Sequence, residues 1–332
     1  LYPTSIPPGD VAEEYVDDPA DRISPIPRIS EHPDFGFTVA LLVIALVPRL
    51  FVALAWAQEP VWDGHYYHFG AERIAAGLGY SEDVVVGGGA VWKPWTHYPV
   101  GYSALLGLCY WVFGSGILTA PVLNAFLGTL LVVVVHRLAR YALSQNRARV
   151  AGALCALHPG LIAYCAVVMT EPTAALFVLG AGWLALAQRR TVWGVIGAGL
   201  LLGMGTLIRP VSLLAVVGLL FVYGKSFKNS LVRTTLAGLV ALLTVLPWTI
   251  RNCRVMDGCA LVSTNGGWNL AIGALTQSGR FQTLRAQDGC PVVTGQVQQD
   301  RCWAEVGRRT ILDDPYAWVA KMPVKLAQTY DH

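Results

Sequence analysis

Apolar residues fall in long blocks along this chain, separated by short polar or charged segments. Residues 1–34 are rich in Pro, Asp and Glu and show no apolar periodicity, so they read as a mostly disordered tail. The first apolar block covers 35–56, long enough at about 1.5 Å per residue to cross a hydrocarbon core. A polar and aromatic stretch over 58–98 follows, and then a weaker apolar segment at 99–113. Six further blocks cover 118–135, 150–168, 173–187, 192–208, 211–223 and 236–250. Within the polar stretch, 67–77 has apolar positions at helical spacing and predicts a short helix lying along a surface. Residues 84–90 read as a flexible, glycine-rich connection, because no Gly-Lys-Ser/Thr follows Gly87-Gly88-Gly89. The pattern over 304–330 predicts helices broken near Asp313-Asp314-Pro315 and Pro323.

Charge decides how the blocks thread a bilayer. If 99–113 spans, Arg137, Arg140, Arg147 and Arg149 lie on the opposite side from the tail, against the positive-inside tendency. If that segment only dips into the interface, those arginines, Arg189-Arg190, Lys225, Lys228 and Arg233 share the tail's side. The expectation is therefore an all-α integral membrane protein: a cytoplasmic tail at 1–34, about seven spans within 35–250, and an outer segment at 251–332. Residues 58–117, with interfacial helices, Met169-Thr170-Glu171-Pro172 and Arg209-Pro210 then connect spans on the outer face.

Composition agrees. Of 332 residues 54% are hydrophobic and 14% charged, with a mean hydropathy of +0.49, where soluble domains carry about 25% charged residues. The net charge is +3 and no basic run points to nucleic acid. The start lacks a signal-peptide pattern, and the sequence opens on Leu1 and stops abruptly after Asp331-His332, so a longer parent chain is expected. Cys109, Cys155 and Cys165 sit in apolar blocks as expected buried thiols. Cys253, Cys259, Cys290 and Cys302 lie in the outer segment, where disulfides form in an oxidising compartment. Four cysteines allow three pairings; neighbour pairing is the simplest, and no CxxC spacing points to zinc.

The chemistry concentrates where blocks meet polar connections. Trp62-Asp63-Gly64-His65-Tyr66-Tyr67-His68 places an acid, two histidines and aromatics just past the first block, a costly location unless they face a cavity or water. Asp63 and Glu171 are acids on the outer face, and Arg209, Arg251, Lys93 and Arg49 are cations near the same boundary. Arg49 fits equally an arginine reaching to the near interface, and Thr170-Glu171-Pro172 equally a good helix start. A pair of acids with several cations suits transfer from a phosphate leaving group, with Asp63 and Glu171 as catalytic candidates: one carboxylate is a general base for an acceptor hydroxyl, and the cations meet the charge on the departing phosphate. His65, Tyr66, His97, Tyr98, Asn265 and Asn269 are candidate substrate contacts. No cofactor motif is present, and a divalent metal ion is left open. His158-Pro159-Gly160 marks a kink, and Gly199, Gly203 and Gly205 suit close helix packing.

Taken in order, the acid–aromatic loop, His97-Tyr98-Pro99-Val100-Gly101-Tyr102, Ala156-Leu157-His158-Pro159-Gly160, Glu171-Pro172, Leu207-Ile208-Arg209-Pro210, Pro247-Trp248-Thr249-Ile250-Arg251-Asn252 and Ser263-Thr264-Asn265-Gly266-Gly267 resemble a known series. The chain looks like the bacterial GT-C membrane glycosyltransferases related to protein O-mannosyltransferases and lipid A aminoarabinose transferases. The resemblance implies a GT-C type helix bundle and a hexosyl- or pentosyltransferase. Its donor would be a polyprenyl-phosphate-linked sugar and its acceptor a lipid, glycan or protein. Transfer would occur on the periplasmic face of the bacterial inner membrane, with inversion. It makes Asp63 the base, places Glu171 in the second outer connection, and assigns Arg209 and Arg251 to donor phosphate. Members of this group continue with further spans. The rival readings are a lipid or polyprenyl-phosphate transporter, which would place its site near the bilayer midplane, and a non-catalytic polyprenyl-phosphate-binding relative.

Overall fold

The computed structural model describes residues 34–188, 191–223, 226–278, 280–291 and 295–330. The tail before Asp34, Arg189-Arg190 and Lys225 lie outside the described residues. In chain order the helices are α1 (Phe35–Ala55), α2 (Asp63–Ala75), α3 (Val100–Phe113), α4 (Thr119–Ala142), α5 (Gln145–Ala156), α6 (Pro159–Ala163), α7 (Glu171–Ala187), α8 (Val192–Ile208) and α9 (Phe227–Val255). After them come α10 (Gly266–Leu275), α11 (Gln296–Asp313), α12 (Pro315–Ala320) and α13 (Met322–Tyr330). A 3-10 helix, Pro210–Phe221, lies between α8 and α9, and a hairpin of β1 (Ser81–Val86) and β2 (Gly89–Pro94) lies between α2 and α3.

This is a multi-pass membrane protein. Among the described residues α1, α4 and α9 are long and apolar enough to cross a membrane, and α5 with α6, bent by 48°, makes a fourth. Helices α7 and α8 have 17 residues each, about 25 Å at the α-helical rise. The 3-10 helix has only 12 residues, yet its steeper rise of roughly 2 Å per residue gives it about 24 Å. The apolar blocks after the first interfacial segment thus become helical elements that reach from about 24 Å for the 3-10 helix to about 43 Å for the 29 residues of α9. In the bundle α1 packs on α4, α4 on α7, α7 on α8 and α8 on α9, with α5 against α4 and the 3-10 helix against α8 and α9. Small residues allow the closest of these contacts. A Cβ at Gly199 would come 2.5 Å from the Ala237 carbonyl oxygen, and one at Gly203 would come 2.5 Å from Thr244 Cβ.

One ion cluster fixes which ends lie together. Buried Asp34, at the start of α1, pairs with Arg140 of α4 at 2.8 Å and with Arg149 of α5 at 2.7 Å. The start of α1 and the α4–α5 turn therefore share one end of the bundle, with two crossings between them. That leaves α3 as a non-crossing helix. It packs along α2, and the two bury Tyr67, Ala71, Tyr102, Leu106 and Tyr110 with Val168, Ala174 and Ile208. This core lies at the other end of the bundle and underlies the candidate site.

Three local expectations are revised. The short surface helix begins at Asp63, four residues before the apolar periodicity does, because Trp62 turns the chain and an acid suits a helix start. The glycine-rich connection is the turn of an antiparallel hairpin, with Val86 opposite Gly89. Gly87 and Gly88 have φ of +61° and +85°, the left-handed pair that a two-residue hairpin turn requires. Helix α11 begins at Gln296, ahead of the expected start. It ends where Asp314 accepts a capping bond from the Ala317 N–H at 2.8 Å.

Candidate active site

The chain leaves α1 and enters α2 through Trp62, whose φ of 51° is the only positive value at a non-glycine among the described residues. Asp63 is thereby the first residue of α2 and remains exposed. A Cβ at Gly64 would stand 2.7 Å from the Val168 carbonyl oxygen, so glycine lets α2 begin against the segment that leads to Glu171. The Tyr98 hydroxyl donates to Asp63 Oδ1 at 2.7 Å. Its ring stacks on Tyr66 at 5.0 Å, and Tyr66 stacks on Trp95 at 5.7 Å. Burial, then the hydrogen bond to Asp63, holds the Tyr98 phenol above its ordinary range. Tyr98 therefore stays a donor and orients the carboxylate.

Facing this pair, Glu171 opens α7 with Pro172 in its first turn, and Arg209 ends α8. Arg209 Nη1 lies 2.6 Å from Glu171 Oε1 and donates to Thr170 Oγ1 at 3.3 Å. Tyr67, one helical turn beyond Asp63, is buried and lines the same cavity as Thr170. Burial pushes its phenol up to about 12, with the charges of Asp63 and Glu171 adding to the rise and Thr170 and Arg209 opposing it.

The chain after α9 closes the third side. The Thr264 N–H donates to the Thr96 carbonyl at 2.9 Å, and Thr96 Oγ1 and Trp248 Nε1 both donate to the Val262 carbonyl, at 3.2 and 2.8 Å. These bonds carry Ser263–Asn269 over the site, where Trp268 meets the His97 ring edge-on at 5.8 Å. Burial holds His97 below the usual histidine value, against the opposing pull of Asp63 and of a backbone bond to Thr264. Burial also raises Asp300, which accepts from the Gly267 and Trp268 N–H groups at the start of α10.

The result is one cavity of about 640 Å³ that collects Asp63, Glu171, Arg209, His97, Tyr98, Asn265 and Asn269 from the expected residues. It adds Thr170, Phe281, Gln282 and Thr283, to which sequence reasoning gave no site role, together with Tyr67 and Trp268, which stand inside the acid–aromatic stretch and the polar loop after α9 that the sequence already marked. Tyr67 was within reach of that reasoning, since it lies four residues after Asp63 on the same helix face. Gln282 and Thr283 carry no comparable sequence signal.

Other expected residues lie elsewhere. Arg49 is fully buried and donates to the carbonyls of Ala45 (2.8 Å), Ala156 (2.8 Å) and Cys155 (3.2 Å). It satisfies the carbonyls that α5 leaves unpaired at its break. Arg251 donates to the carbonyls of Trp95 (3.0 Å) and Tyr80 (2.6 Å) and lies over the Trp248 ring. It ties the hairpin to α9 and does not line the cavity. Lys93 is exposed on β2 opposite Glu82. His65 is exposed beside Tyr66 and Phe69, and Tyr66 supports Tyr98 from behind. His158 accepts from the Leu161 N–H at 3.3 Å and caps α6 at the kink. Disulfides join Cys253 to Cys259 and Cys290 to Cys302, and Cys109, Cys155 and Cys165 are free. Among the described residues no three His, Cys, Asp or Glu gather as metal ligands. A divalent ion at this cavity would rest on Asp63 or Glu171 and on oxygens of a bound ligand.

Residues 97–250 match the family model described as dolichyl-phosphate-mannose-protein mannosyltransferase. The Archaeoglobus fulgidus oligosaccharyltransferase in its apo form superposes with a TM-score of 0.51 at 18% identity, over 68% of this chain and 31% of that one. The fold is of the GT-C type. The chain spans less than a third of the length of that solved structure, and no curated protein matches it. The matched family segment runs from His97 to Ile250 within α9, and so includes Glu171 and Arg209 but begins after Asp63 and ends before Arg251.

Proposed function

We propose that this protein is a membrane glycosyltransferase that moves a sugar from a polyprenyl-phosphate-linked donor to an acceptor hydroxyl, with inversion. The observation that carries the reading is a single cavity with Asp63, oriented by Tyr98, on one wall and Arg209, held by Glu171 and Thr170, on another. The matched family's description names a lipid-phosphate-linked mannose, which supports a donor of this class.

Asp63 accepts the proton of the acceptor hydroxyl as its oxygen bonds to the anomeric carbon. The bond from that carbon to the donor's phosphate oxygen breaks, and its electron pair leaves with the lipid phosphate. Arg209 stabilises the charge gathering on that phosphate. Glu171 holds the guanidinium in place, and the phosphate leaves without an acid catalyst. A single displacement, in which the acceptor oxygen attacks the anomeric carbon on the face opposite the departing phosphate, inverts the anomeric centre. The reading places the cavity on the periplasmic face of a bacterial inner membrane, because the arginines around Asp34 mark the other end of the bundle.

A transporter would place its ionisable groups near the bilayer midplane, whereas these lie at one end of the bundle. The test is donor consumption by purified protein with polyprenyl-phosphate sugars. Arg209→Ala is expected to raise the donor KM at least tenfold, and an unchanged donor KM would remove the phosphate role.

A further inference from the structure

The cavity's charges are segregated. Asp63, Glu171 and Arg209 all belong to the bundle side, while the residues of 261–284 that line the cavity are uncharged; Arg280, in the same stretch, does not line it and donates through Nε to Gln328 at 3.0 Å. That wall instead presents the amides of Asn265, Asn269 and Gln282, the Thr283 hydroxyl, and the rings of Trp268 and Phe281. Asn269, Gln282, Thr283 and Phe281 are exposed, so their polar and aromatic groups are open to a ligand.

This wall is a built unit. Its two strips, α10 and residues 281–284, meet in one small core where Ala271, Leu284, Cys290 and Trp303 are buried together. The Cys290–Cys302 disulfide ties the second strip to α11, and Asp300 of α11 caps α10 through the Gly267 N–H at 2.7 Å. The uncharged groups are therefore held together as one surface of the cavity that Asp63 also lines.

We propose that this wall is the acceptor subsite and that the acceptor is a neutral carbohydrate. The assignment rests on the glycosyltransferase reading above and specifies its second substrate. Each side-chain amide offers donors and an acceptor, matching sugar hydroxyls, which also do both. The aromatic rings provide flat apolar surface for the C–H faces of pyranose rings, within the mixed apolar and polar lining that small-ligand sites use. An acceptor carrying phosphate or carboxylate would meet no cation among the residues with which this wall lines the cavity, a desolvation cost that a neutral glycan avoids. The acceptor hydroxyl would point across the cavity to Asp63, and its proton and oxygen would follow the displacement already described.

The experiment uses the full chain in liposomes with decaprenyl-phosphate mannose, glucose or arabinose. The acceptors are a fluorescent neutral mannotriose, the same trisaccharide carrying a phosphate, and a Ser/Thr-rich peptide. Donor consumption without acceptor reports whether the enzyme reading stands, and labelled product reports the acceptor class. The expected result is transfer to the neutral trisaccharide. Asn269→Ala and Gln282→Ala should each raise its KM roughly tenfold, the scale of one lost hydrogen bond to a substrate, and lower the ratio of transfer to donor hydrolysis. Donor consumption with the peptide or the phosphorylated trisaccharide as the better acceptor would overturn the acceptor assignment alone. Saccharide KM values unchanged in both variants would do the same. No donor consumption under any condition would overturn the enzyme reading and the acceptor assignment with it.

Discussion

Tyr98 separates orientation from chemistry at the cavity. Its hydroxyl bonds Asp63 and its ring is stacked in place by Tyr66, so Tyr98→Phe should lower turnover roughly tenfold through a misplaced base. Asp63→Asn removes the base itself and should cost on the order of a hundredfold or more; equal losses in the two variants would contradict this separation of roles. His97 predicts a pH dependence. Its folded-state value lies below the ordinary one because of burial, so as pH falls below about 6.5 the unfolded chain takes up the proton first. Stability then rises with pH across that window and declines on acidification. Thermal unfolding in detergent should show a shallower slope between pH 5 and 6.5 in His97→Asn, roughly the window below an ordinary histidine value, and an unchanged slope would contradict the assignment. Asp63, Glu171 and Arg209 were legible in sequence because each stands at the edge of an apolar block, where a charge is costly without purpose. Arg49, Arg251 and Lys93 satisfy the same criterion, yet the fold turns them to carbonyls or solvent. Spacing along the chain does not reveal those partners. The carbonyls that Arg49 caps exist only because α5 breaks before His158, far away in sequence.

At the scale of elements, the apolar blocks located the helices well, since period and length are local properties. What they hid was how the elements meet. The start of α2 was missed because it is set by the turn at Trp62 and by contact with Val168, neither of which has periodicity. The hairpin was missed because its glycines were read as slack, whereas two successive positive φ values make them a tight turn. The α8–α9 contact was legible as glycines at four-residue spacing. Gly203→Leu should force α8 from α9, since even a Cβ would be 2.5 Å from Thr244, and overpacking of this kind costs about 1–3 kcal/mol. A melting temperature equal to that of the unmodified protein would show that the contact yields.

For the whole molecule, the bundle and the segment after α9 make separate contributions. The bundle supplies every charged group of the cavity, and the later segment supplies its uncharged wall. The disulfides brace the second part: Cys253, in the last turn of α9, is joined to Cys259 beyond it, and Cys290 is joined to Cys302 within the later segment. Reduction should therefore weaken acceptor use while helical circular dichroism persists; loss of the helical signal would show that the bundle depends on them. This division also explains the limits of sequence reading at this scale. The charges could be grouped from topology alone, but an uncharged wall made from two strips around a shared core has no sequence pattern.

Asp63 stands as the base of a transfer reaction at this cavity. Its most direct test is donor consumption from a panel of polyprenyl-phosphate sugars, wild type beside Asp63→Asn, with donor binding measured on both proteins. Turnover in the wild type, lost in Asp63→Asn with donor binding retained, is the predicted result. Equal turnover by the two proteins, or donor binding by the wild type with no turnover, would contradict it.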